Sequence, residues 1–375
     1  MAPFYAAARR PVRSRSSRPV VRLLLVAALA GGLPTGCTAP PAAAGRAETA
    51  PLAADRDALC RRIDAALAHA RDGRRLDAAV HGAWQVVHGI LAFGRAFPLR
   101  HDGTESPAID YLCGGGRMTG WNLRPGSRGL AAVVEEGSTM GQGHPDQWLG
   151  YLAQCGLDGL PLDTRITLGT RTFTLQDLLT QAQADIRPGQ EATWTLMALA
   201  AYLPADASWT AADGDRWTTE RVVQMEAEAD IFSAACGGAH RLYALAAALR
   251  KHRAATGPGV PLSGGWAVAA DVIDECVDRA RRFQQPDGGF STHSFERPGT
   301  SADVFARLSA TGHVFEVISL SLDAERLDEP WVVRAADRLV TLLEQTADVD
   351  VECGGLYHAA HGLMLYRNRT CPSPH

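Results

Sequence analysis

Two kinds of apolar segment alternate along the second half of the chain. In one kind the apolar residues recur at helical spacing and would lie on one face of a helix. In the other kind they would cover nearly every face of the helix. The successive pairs are residues 174–186 with 190–203, 217–232 with 236–249, 266–283 with 304–322, and 331–345 with 353–366. A one-faced helix covers a core, whereas a helix that is apolar all round has to be buried on every side. The pattern therefore predicts helical hairpins, each with an outer and an inner helix.

The first half of the chain begins in the same way and is then interrupted. Leu59, Ile63 and Leu67 mark one face of a predicted helix over residues 55–71, and an apolar helix is predicted over residues 76–97. Residues 100–143 are interrupted by glycine and proline, which predicts an irregular loop or small hairpin insert. A predicted helix over residues 144–155 resumes the pattern.

The spacing of the inner helices indicates how the hairpins assemble. Their predicted starts near Glu191, Cys236, Thr311 and Cys353 are separated by roughly 45, 75 and 42 residues, a period typical of helical repeats. One hairpin cannot bury its inner helix alone, so the hairpins have to stack. Because the inner helices need burial on all sides, closure is favoured over an open solenoid. The predicted fold is all-α, an α/α toroid with a double ring of five to six helical hairpins and one long irregular insert.

The N-terminus has the features of an export signal. Six arginines precede an apolar run from Leu23 to Leu33, and the run is too short for a comfortable membrane span. Residues 33–37 resemble a bacterial lipobox, with lipid attachment at Cys37; cleavage near Ala30 in a plainly secreted protein is the alternative. The predicted organisation is a signal peptide over residues 1–37, a Pro/Ala-rich tether over residues 38–54 and a single domain over residues 55–370. We expect an exported lipoprotein of the periplasm or cell envelope.

Charge and cysteine content restrict the partners. Removal of residues 1–37 leaves 31 basic and 41 acidic side chains, a net charge of −10, which argues against nucleic acid. The expected partner is a small-molecule ligand or an envelope protein, with the membrane contacted only through the lipid anchor. Seven cysteines remain, so at least one has no intramolecular disulfide partner. Any pairing is left open among Cys60, Cys113, Cys155, Cys276, Cys353 and Cys371.

A repeated start of inner helices supplies the candidate chemistry. Cys236-Gly-Gly-Ala-His240 is echoed by Cys353-Gly-Gly-Leu-Tyr-His358, and Thr311-Gly-His313 is a looser third copy. In a closed toroid the N-termini of the inner helices line one mouth of the cavity. Thiolate and imidazole suit a soft divalent metal, so Cys236, His240, Cys353 and His358 are candidate zinc ligands, although the sequence assures no cofactor. The alternative is a set of buried cysteines and hydrogen-bonded core histidines.

Other polar residues of the inner helices are candidates for catalysis or ligand contact. His313 and Glu316 are three residues apart on one face, an arrangement suited to acid/base catalysis because a carboxylate orients an imidazole. A structural hydrogen bond is the equally weighted alternative. The candidate cavity-lining residues are His81, Trp84, Gln85, His88, Glu191, Trp194 and Tyr243.

Two segments resemble known families. Residues 281–290, which contain Gln284 and the turn Asp287-Gly288-Gly289, resemble the repeats of squalene and hopene cyclases, whose fold is shared with protein prenyltransferases. This resemblance implies a terpenoid-cyclase and prenyltransferase-type α/α toroid. The acidic cyclase motif is absent, which suggests a non-cyclase member, and residues 350–353 only approximate the prenyltransferase zinc segment. The segment from Thr311 to Glu316 resembles a motif of N-acylglucosamine epimerases.

These observations leave three classes of function open. The first is an exported toroid that binds a small isoprenoid or sugar-like molecule at its polar mouth. The second is an enzyme, either epimerase-like or a zinc-dependent transferase. The third is an envelope scaffold without catalysis. The sequence does not decide whether the protein is an enzyme.

Overall fold

Helices dominate the computed structural model, which describes residues 53–257 and 259–372. The prediction of an all-α protein is confirmed, whereas the expected signal peptide, Cys37 and nearly all of the tether lie outside the described residues. The α-helices are α1 (Ala53–Asp72), α2 (Ala83–Phe93), α3 (Ala108–Cys113), α4 (Gln147–Leu152), α5 (Leu175–Asp185), α6 (Thr193–Tyr202), α7 (Thr219–Glu228), α8 (Ala239–Thr256), α9 (Gly264–Arg282), α10 (Val304–Ser321), α11 (Pro330–Gln345) and α12 (Cys353–Thr370). Among these helices, none combines the length and apolar character that a membrane crossing requires.

Short antiparallel hairpins occupy the connections between helices. The strands are β1 (Pro98–His101) with β2 (Thr104–Pro107), β3 (Leu123–Pro125) with β4 (Leu130–Ala132), β5 (Arg165–Leu168) with β6 (Arg171–Thr174), and β7 (Ser208–Thr210) with β8 (Arg216–Thr218). Asp102 and Gly103 join β1 to β2 with positive φ angles of 49° and 75°, as a tight two-residue hairpin requires. The glycine-rich insert over residues 100–143 therefore holds most of the first two hairpins and α3.

The even-numbered helices contact one another in sequence. α2 contacts α4, α4 contacts α6, α6 contacts α8, α8 contacts α10, α10 contacts α12, and α12 contacts α2. Ile90, Leu199, Leu245 and Ile318 on these helices are fully buried. Amphipathic helices pack outside them: α1 contacts α12, α5 contacts α6, α7 and α9 contact α8, and α11 contacts α10 and α12. This arrangement agrees with the predicted alternation of outer and inner helices.

Glycine allows α10 and α12 to approach closely. A Cβ atom on Gly312 of α10 would lie 2.8 Å from the backbone nitrogen of Ala359, and one on Gly362 of α12 would lie 3.0 Å from the backbone nitrogen of Glu316. Both distances are shorter than ordinary carbon contacts, so neither position accepts a larger residue without movement of the helices. This close packing sets the register of the polar side chains that α10 and α12 carry.

The turn after α9 carries the resemblance to cyclase repeats. Gln284 donates hydrogen bonds from Nε2 to the carbonyl oxygens of Gly288 at 3.0 Å and Trp331 at 2.8 Å. Gly288 adopts a φ of 91°, which glycine permits at little cost. Phe290 packs edge-on against the Trp331 ring. The turn therefore packs the end of one outer helix, α9, against the start of the next outer helix, α11.

A disulfide joins the two ends of the described domain. Cys60 on α1 pairs with Cys371, which follows α12. The sequence left the pairing open, and this bond excludes a disulfide between Cys353 and Cys371. The unpaired cysteines of the described residues are Cys113, Cys155, Cys236, Cys276 and Cys353, and all except Cys236 are buried.

Candidate functional site

Four imidazole rings from four helices meet inside the domain. This histidine cluster consists of His88 on α2, His240 on α8, His313 on α10 and His358 on α12. The centroid of the His358 ring lies 4.2 Å from that of His313, 4.8 Å from that of His240 and 5.2 Å from that of His88. All four residues are at least nine-tenths buried. Buried polar rings of this number require partners, so the cluster is either a hydrogen-bonded network or a ligand site.

A thiol completes the cluster on one side. The sulfur of Cys236 and one ring nitrogen each of His240 and His313 lie within 4.8 Å of one another. Cysteine and histidine are the ligand types that bind zinc and other soft divalent ions. These three residues form a possible metal-binding group, and this group contains His313 where the sequence suggested Cys353 and His358.

The backbone at Cys236 is strained. Cys236, Gly237 and Gly238 have successive φ angles of 53°, 63° and 87° in the turn that precedes α8. The first value is unusual for a residue with a side chain, and such strain is concentrated at functional sites. A Cβ atom on Gly238 would lie 2.4 Å from the carbonyl oxygen of Ile231, so glycine is needed there. The turn places Cys236 at the wall of a cavity, and the residue as a whole is exposed.

The Cys236 thiol and the His313 imidazole ionise together. Desolvation opposes ionisation of the Cys236 thiol, yet His313 and His240 hold its pKa well below its ordinary value. Burial likewise opposes a charge on His313, but the Cys236 thiolate raises the pKa of that imidazole to about 9. Without a metal, Cys236 and His313 therefore form a thiolate–imidazolium pair at neutral pH. A thiolate in this state is both a good metal ligand and a good nucleophile.

Backbone contacts fix the orientation of His313. Its Nδ1 lies 2.8 Å from the carbonyl oxygen of Ser309, one turn earlier on α10. A carbonyl oxygen only accepts, so Nδ1 carries the proton and Nε2 is left for Cys236 or a metal ion. Glu316 does not make the expected hydrogen bond to His313. Its carboxylate accepts instead from Nδ1 of His358 at 3.0 Å and from Nδ1 of His361, both on α12.

Glu316 is the charged centre of a second buried group. Burial opposes its ionisation, but the hydrogen bonds from His358 and His361 hold its pKa well below the ordinary value. Burial lowers the pKa of His358 to about 4 although Glu316 acts in the opposite direction, so this ring is neutral at pH 7. Glu316 thereby orients two α12 imidazoles, one of which faces the possible metal-binding group.

Tyr151 on α4 links two members of the histidine cluster. Its hydroxyl oxygen lies 3.3 Å from Nε2 of His88 and 3.4 Å from Nε2 of His358. His88 is held from its other nitrogen by the carbonyl oxygen of Trp84 at 2.6 Å. Burial and the neighbouring imidazoles keep the pKa of His88 well below its ordinary value. Sequence reasoning did not identify Tyr151; the available signal was a polar ring four residues after Gln147 on a short helix that is otherwise apolar.

A cavity of about 320 Å³ opens in front of these groups. Trp84, Trp194 and His144 line it together with Tyr151 and Cys236. His144 stacks on the Trp194 ring, with centroids 4.4 Å apart, and its Nδ1 lies 2.8 Å from a carboxylate oxygen of Glu191. The cavity is therefore bordered by aromatic rings and by polar groups from several helices, as ligand sites commonly are.

A larger cleft of about 840 Å³ lies beside this cavity. The cleft and the cavity share Trp84, Ser138 and Glu352. Cys353 borders the cleft and takes no part in the possible metal-binding group; burial raises its pKa to about 12. Glu352 accepts hydrogen bonds from two backbone N–H groups at the start of α12, so it is already engaged as a helix cap. The Cys236 thiol and the four imidazoles of the histidine cluster line the smaller cavity and not the cleft.

The remaining predicted residues are divided among three places. Trp84, His88 and Trp194 line the site cavity, whereas His81 and Gln85 line the larger cleft. Glu191 does not line the cavity itself but contacts His144, which does. Tyr243 borders a separate cavity of about 210 Å³.

The apolar segment 304–322 is a helix as predicted, but the inner-helix start placed near Thr311 is wrong. α10 begins at Val304, with the Asp303 side chain accepting from the backbone nitrogen of Phe305, and not at Thr311. Gly312 and His313 therefore lie in the middle of a helix. His313 meets Cys236 because α8 and α10 pack side by side, and not because two helix starts converge.

No family model, curated protein or solved structure matches this chain. The function has to be inferred from the geometry of the site itself.

Proposed function

We propose that this protein is an exported zinc-dependent enzyme that acts on a small molecule in the site cavity. The observation that carries the proposal is the meeting of one thiolate and two imidazoles, Cys236, His240 and His313, at the cavity wall. Three protein ligands with the fourth position open to a cavity are characteristic of catalytic zinc, whereas structural zinc is enclosed by four.

The separations of the donor atoms suit the ion. In a tetrahedral site with zinc–sulfur and zinc–nitrogen bonds of about 2.3 and 2.0–2.1 Å, the donor atoms lie about 3.3–3.6 Å apart. The three donor atoms here are within 4.8 Å of one another. Side-chain movement of about an ångström therefore brings them to the ion. The Nδ1–H of His313 is engaged by a backbone carbonyl, which is the usual arrangement for a metal-bound histidine.

The residues around the ion have distinct tasks in this proposal. Zinc would supply a Lewis acid and a bound water of lowered pKa. Trp84 and Trp194 exclude bulk water and provide flat apolar walls for the ligand. Glu316 fixes the ring of His358, which lies against His313. His144, held by Glu191, contributes a polar group to the cavity wall.

The architecture proposed for this enzyme is a closed α/α toroid. The cyclic contacts of α2, α4, α6, α8, α10 and α12 support it, since each of these helices touches the next and the last touches the first. The resemblance of the segment around Gln284 to cyclase and prenyltransferase repeats points to the same architecture. In such a toroid the site cavity lies at one end of the inner ring.

Export with a lipid anchor at Cys37 is part of the proposal. The basic and apolar segments before Cys37 motivate it, and the disulfide between Cys60 and Cys371 is consistent with an oxidising compartment. Mass spectrometry of the mature protein from a bacterial membrane fraction tests this part. An acylated N-terminal cysteine is expected, and an unmodified cytoplasmic chain that starts at Met1 would contradict it.

A cysteine-nucleophile enzyme is the second candidate. The strained backbone at Cys236 and its thiolate–imidazolium pairing with His313 favour it. In this version His313 takes and returns the thiol proton, and His240 lies beside the pair. The two candidates differ in whether the thiolate holds an ion or remains free to attack a ligand.

Metal analysis decides between the two candidates. The wild-type protein, purified without a histidine tag and incubated with zinc, is expected to retain one equivalent after dialysis. Cys236→Ala and His240→Phe are expected to lose it, whereas Cys353→Ala, a matched control outside the group, is expected to keep it. A wild-type protein that holds no zinc, together with rapid alkylation of Cys236 by iodoacetamide, would replace the zinc proposal with the nucleophile.

A further inference from the structure

Tyr151 lies between two imidazole nitrogens that both need a hydrogen-bond donor. Its hydroxyl is 3.3 Å from Nε2 of His88 and 3.4 Å from Nε2 of His358, and all three residues line the site cavity. A tyrosine hydroxyl has one hydrogen, so it can donate to only one of the two nitrogens at a time.

The other nitrogens of both rings fix the tautomers. Nδ1 of His88 faces the carbonyl oxygen of Trp84, and Nδ1 of His358 faces the carboxylate of Glu316. Both partners only accept hydrogen bonds, so both Nδ1 atoms carry a proton. In the neutral imidazole the remaining Nε2 is an acceptor. His88 and His358 therefore present two acceptors to a single donor.

We propose that His88, Tyr151 and His358 form a hydroxyl-recognition subsite, and that the ligand is a neutral molecule with a hydroxyl a few bonds from the group that meets the ion. This inference rests on the proposed zinc site. The ligand's hydroxyl donates to the imidazole that Tyr151 does not serve. A buried acceptor without a donor is costly, so a ligand that supplies the donor gains affinity, and one with a methyl group in its place does not.

The position of the subsite suits a small ligand that spans both groups. The His358 ring lies 4.2 Å from the ring of His313 and 4.8 Å from that of His240, centroid to centroid. A molecule of a few heavy atoms therefore reaches from the ion to the subsite. The aromatic walls at Trp84 and Trp194 suit an uncharged ligand with apolar faces, such as a polyol or a sugar ring.

A cationic ligand fits this subsite less well. The nearest buried carboxylate, that of Glu316, already accepts from His358 and His361. Gln147 and Trp194 lie close to the Tyr151 hydroxyl and carry no charge. What the subsite lacks is one hydrogen on a neutral donor, and a hydroxyl supplies it.

A matched pair of metal-binding probes tests the inference. Butanohydroxamate and 3-hydroxypropanohydroxamate both chelate a divalent ion and differ in a terminal methyl against a terminal hydroxyl. Their dissociation constants are measured from the visible spectrum of the cobalt-loaded protein, in which cobalt replaces zinc. The wild-type protein is expected to bind the hydroxyl probe about tenfold more tightly.

Two variants are expected to change this preference differently. His88→Phe leaves one acceptor for the one donor of Tyr151, so the preference for the hydroxyl probe should fall to about onefold. Tyr151→Phe leaves both imidazoles without a donor, so the preference should persist or increase. A merely structural role would weaken both probes equally in both variants. If His88→Phe does not fold, the comparison of Tyr151→Phe with wild type still tests the inference.

Failure of the proposed metal site and failure of the hydroxyl-recognition subsite give different results. Absence of cobalt binding would overturn the metal site, and the subsite with it. Cobalt binding with equal affinity for the two probes in wild type would overturn the subsite alone. That result would mean that the trio is already satisfied, for example because one imidazole carries two protons.

Discussion

The disulfide between Cys60 and Cys371 closes nearly the whole described domain into one covalent loop. The two residues are 311 positions apart in the sequence. In the chain-entropy model, cross-linking a loop of that length removes about 5–6 kcal/mol of unfolded-state entropy at 25 °C. Globular domains have free energies of unfolding of about 5–15 kcal/mol. Loss of this one bond is therefore expected to remove a large part of the stability of the domain.

The assay compares urea unfolding of the wild-type protein with that of Cys60→Ala/Cys371→Ala. The free energy of unfolding of the variant is expected to be lower by several kcal/mol, and wild type with the bridge reduced should approach the variant. Cys276→Ala is the matched control because Cys276 is buried and unpaired. This control is expected to lose stability through a small cavity but to respond to the reductant as wild type does.

One result would refute this reasoning. If mass spectrometry shows that the bridge is fully reduced while the urea midpoint of wild type is unchanged, the loop entropy does not contribute as calculated. The contacts of α1 with α11 and α12 would then hold the ends of the domain together without the covalent bond.

Three further predictions concern the site and its framework. In the metal-free protein, the raised pKa of His313 stabilises the fold fully below pH 6.5, and this contribution is lost as the pH rises through about 9. The lowered pKa of Cys236 acts in the opposite sense: its contribution is complete above pH 9.0 and is lost as the pH falls. The ultraviolet absorbance of the thiolate should therefore persist below pH 8 and be missing in Cys236→Ala. Gly312→Ala should destabilise by about 1–3 kcal/mol in urea unfolding, because its Cβ would meet the Ala359 backbone, whereas helix propensity alone predicts a gain. Glu316→Gln should cost about 1.5–3 kcal/mol in the same assay, because the buried charge that accepts two imidazole N–H groups is lost.

The sequence predicted the helices well because their apolar pattern is strong. The amphipathic segment 331–345 became α11 at Pro330–Gln345, and the apolar segment 353–366 became α12 at Cys353–Thr370. An outer helix is buried on one face, so its apolar residues recur at helical spacing, whereas an inner helix is buried on every face and is apolar throughout. The insert was harder to predict because its hairpins depend on single turns such as Asp102–Gly103.

The sequence could not predict which imidazoles meet. Every histidine of the cluster lies on an inner helix, as expected, but the relative shift of two helices is set by tertiary packing. Gly312 against Ala359 and Gly362 against Glu316 determine that shift for α10 and α12. A shift of one helical turn would bring a different residue to Cys236. The pairing of Glu316 with the α12 histidines was missed for the same reason.

The two Cys-Gly-Gly segments show that the same sequence motif can place its cysteine in different environments. Cys353 is the first residue of α12, and its glycines give room to neighbours: a Cβ on Gly354 would lie 2.7 Å from the Trp84 ring. Cys236 precedes α8 by three residues, and its glycines instead permit a run of left-handed backbone. The first arrangement packs a helix start and buries an inert thiol. The second turns a thiol toward two imidazoles and a cavity. Only the strained copy places its cysteine beside two imidazoles at the wall of the site cavity, so the proposed chemistry belongs to Cys236, and the echo at Cys353 reflects packing.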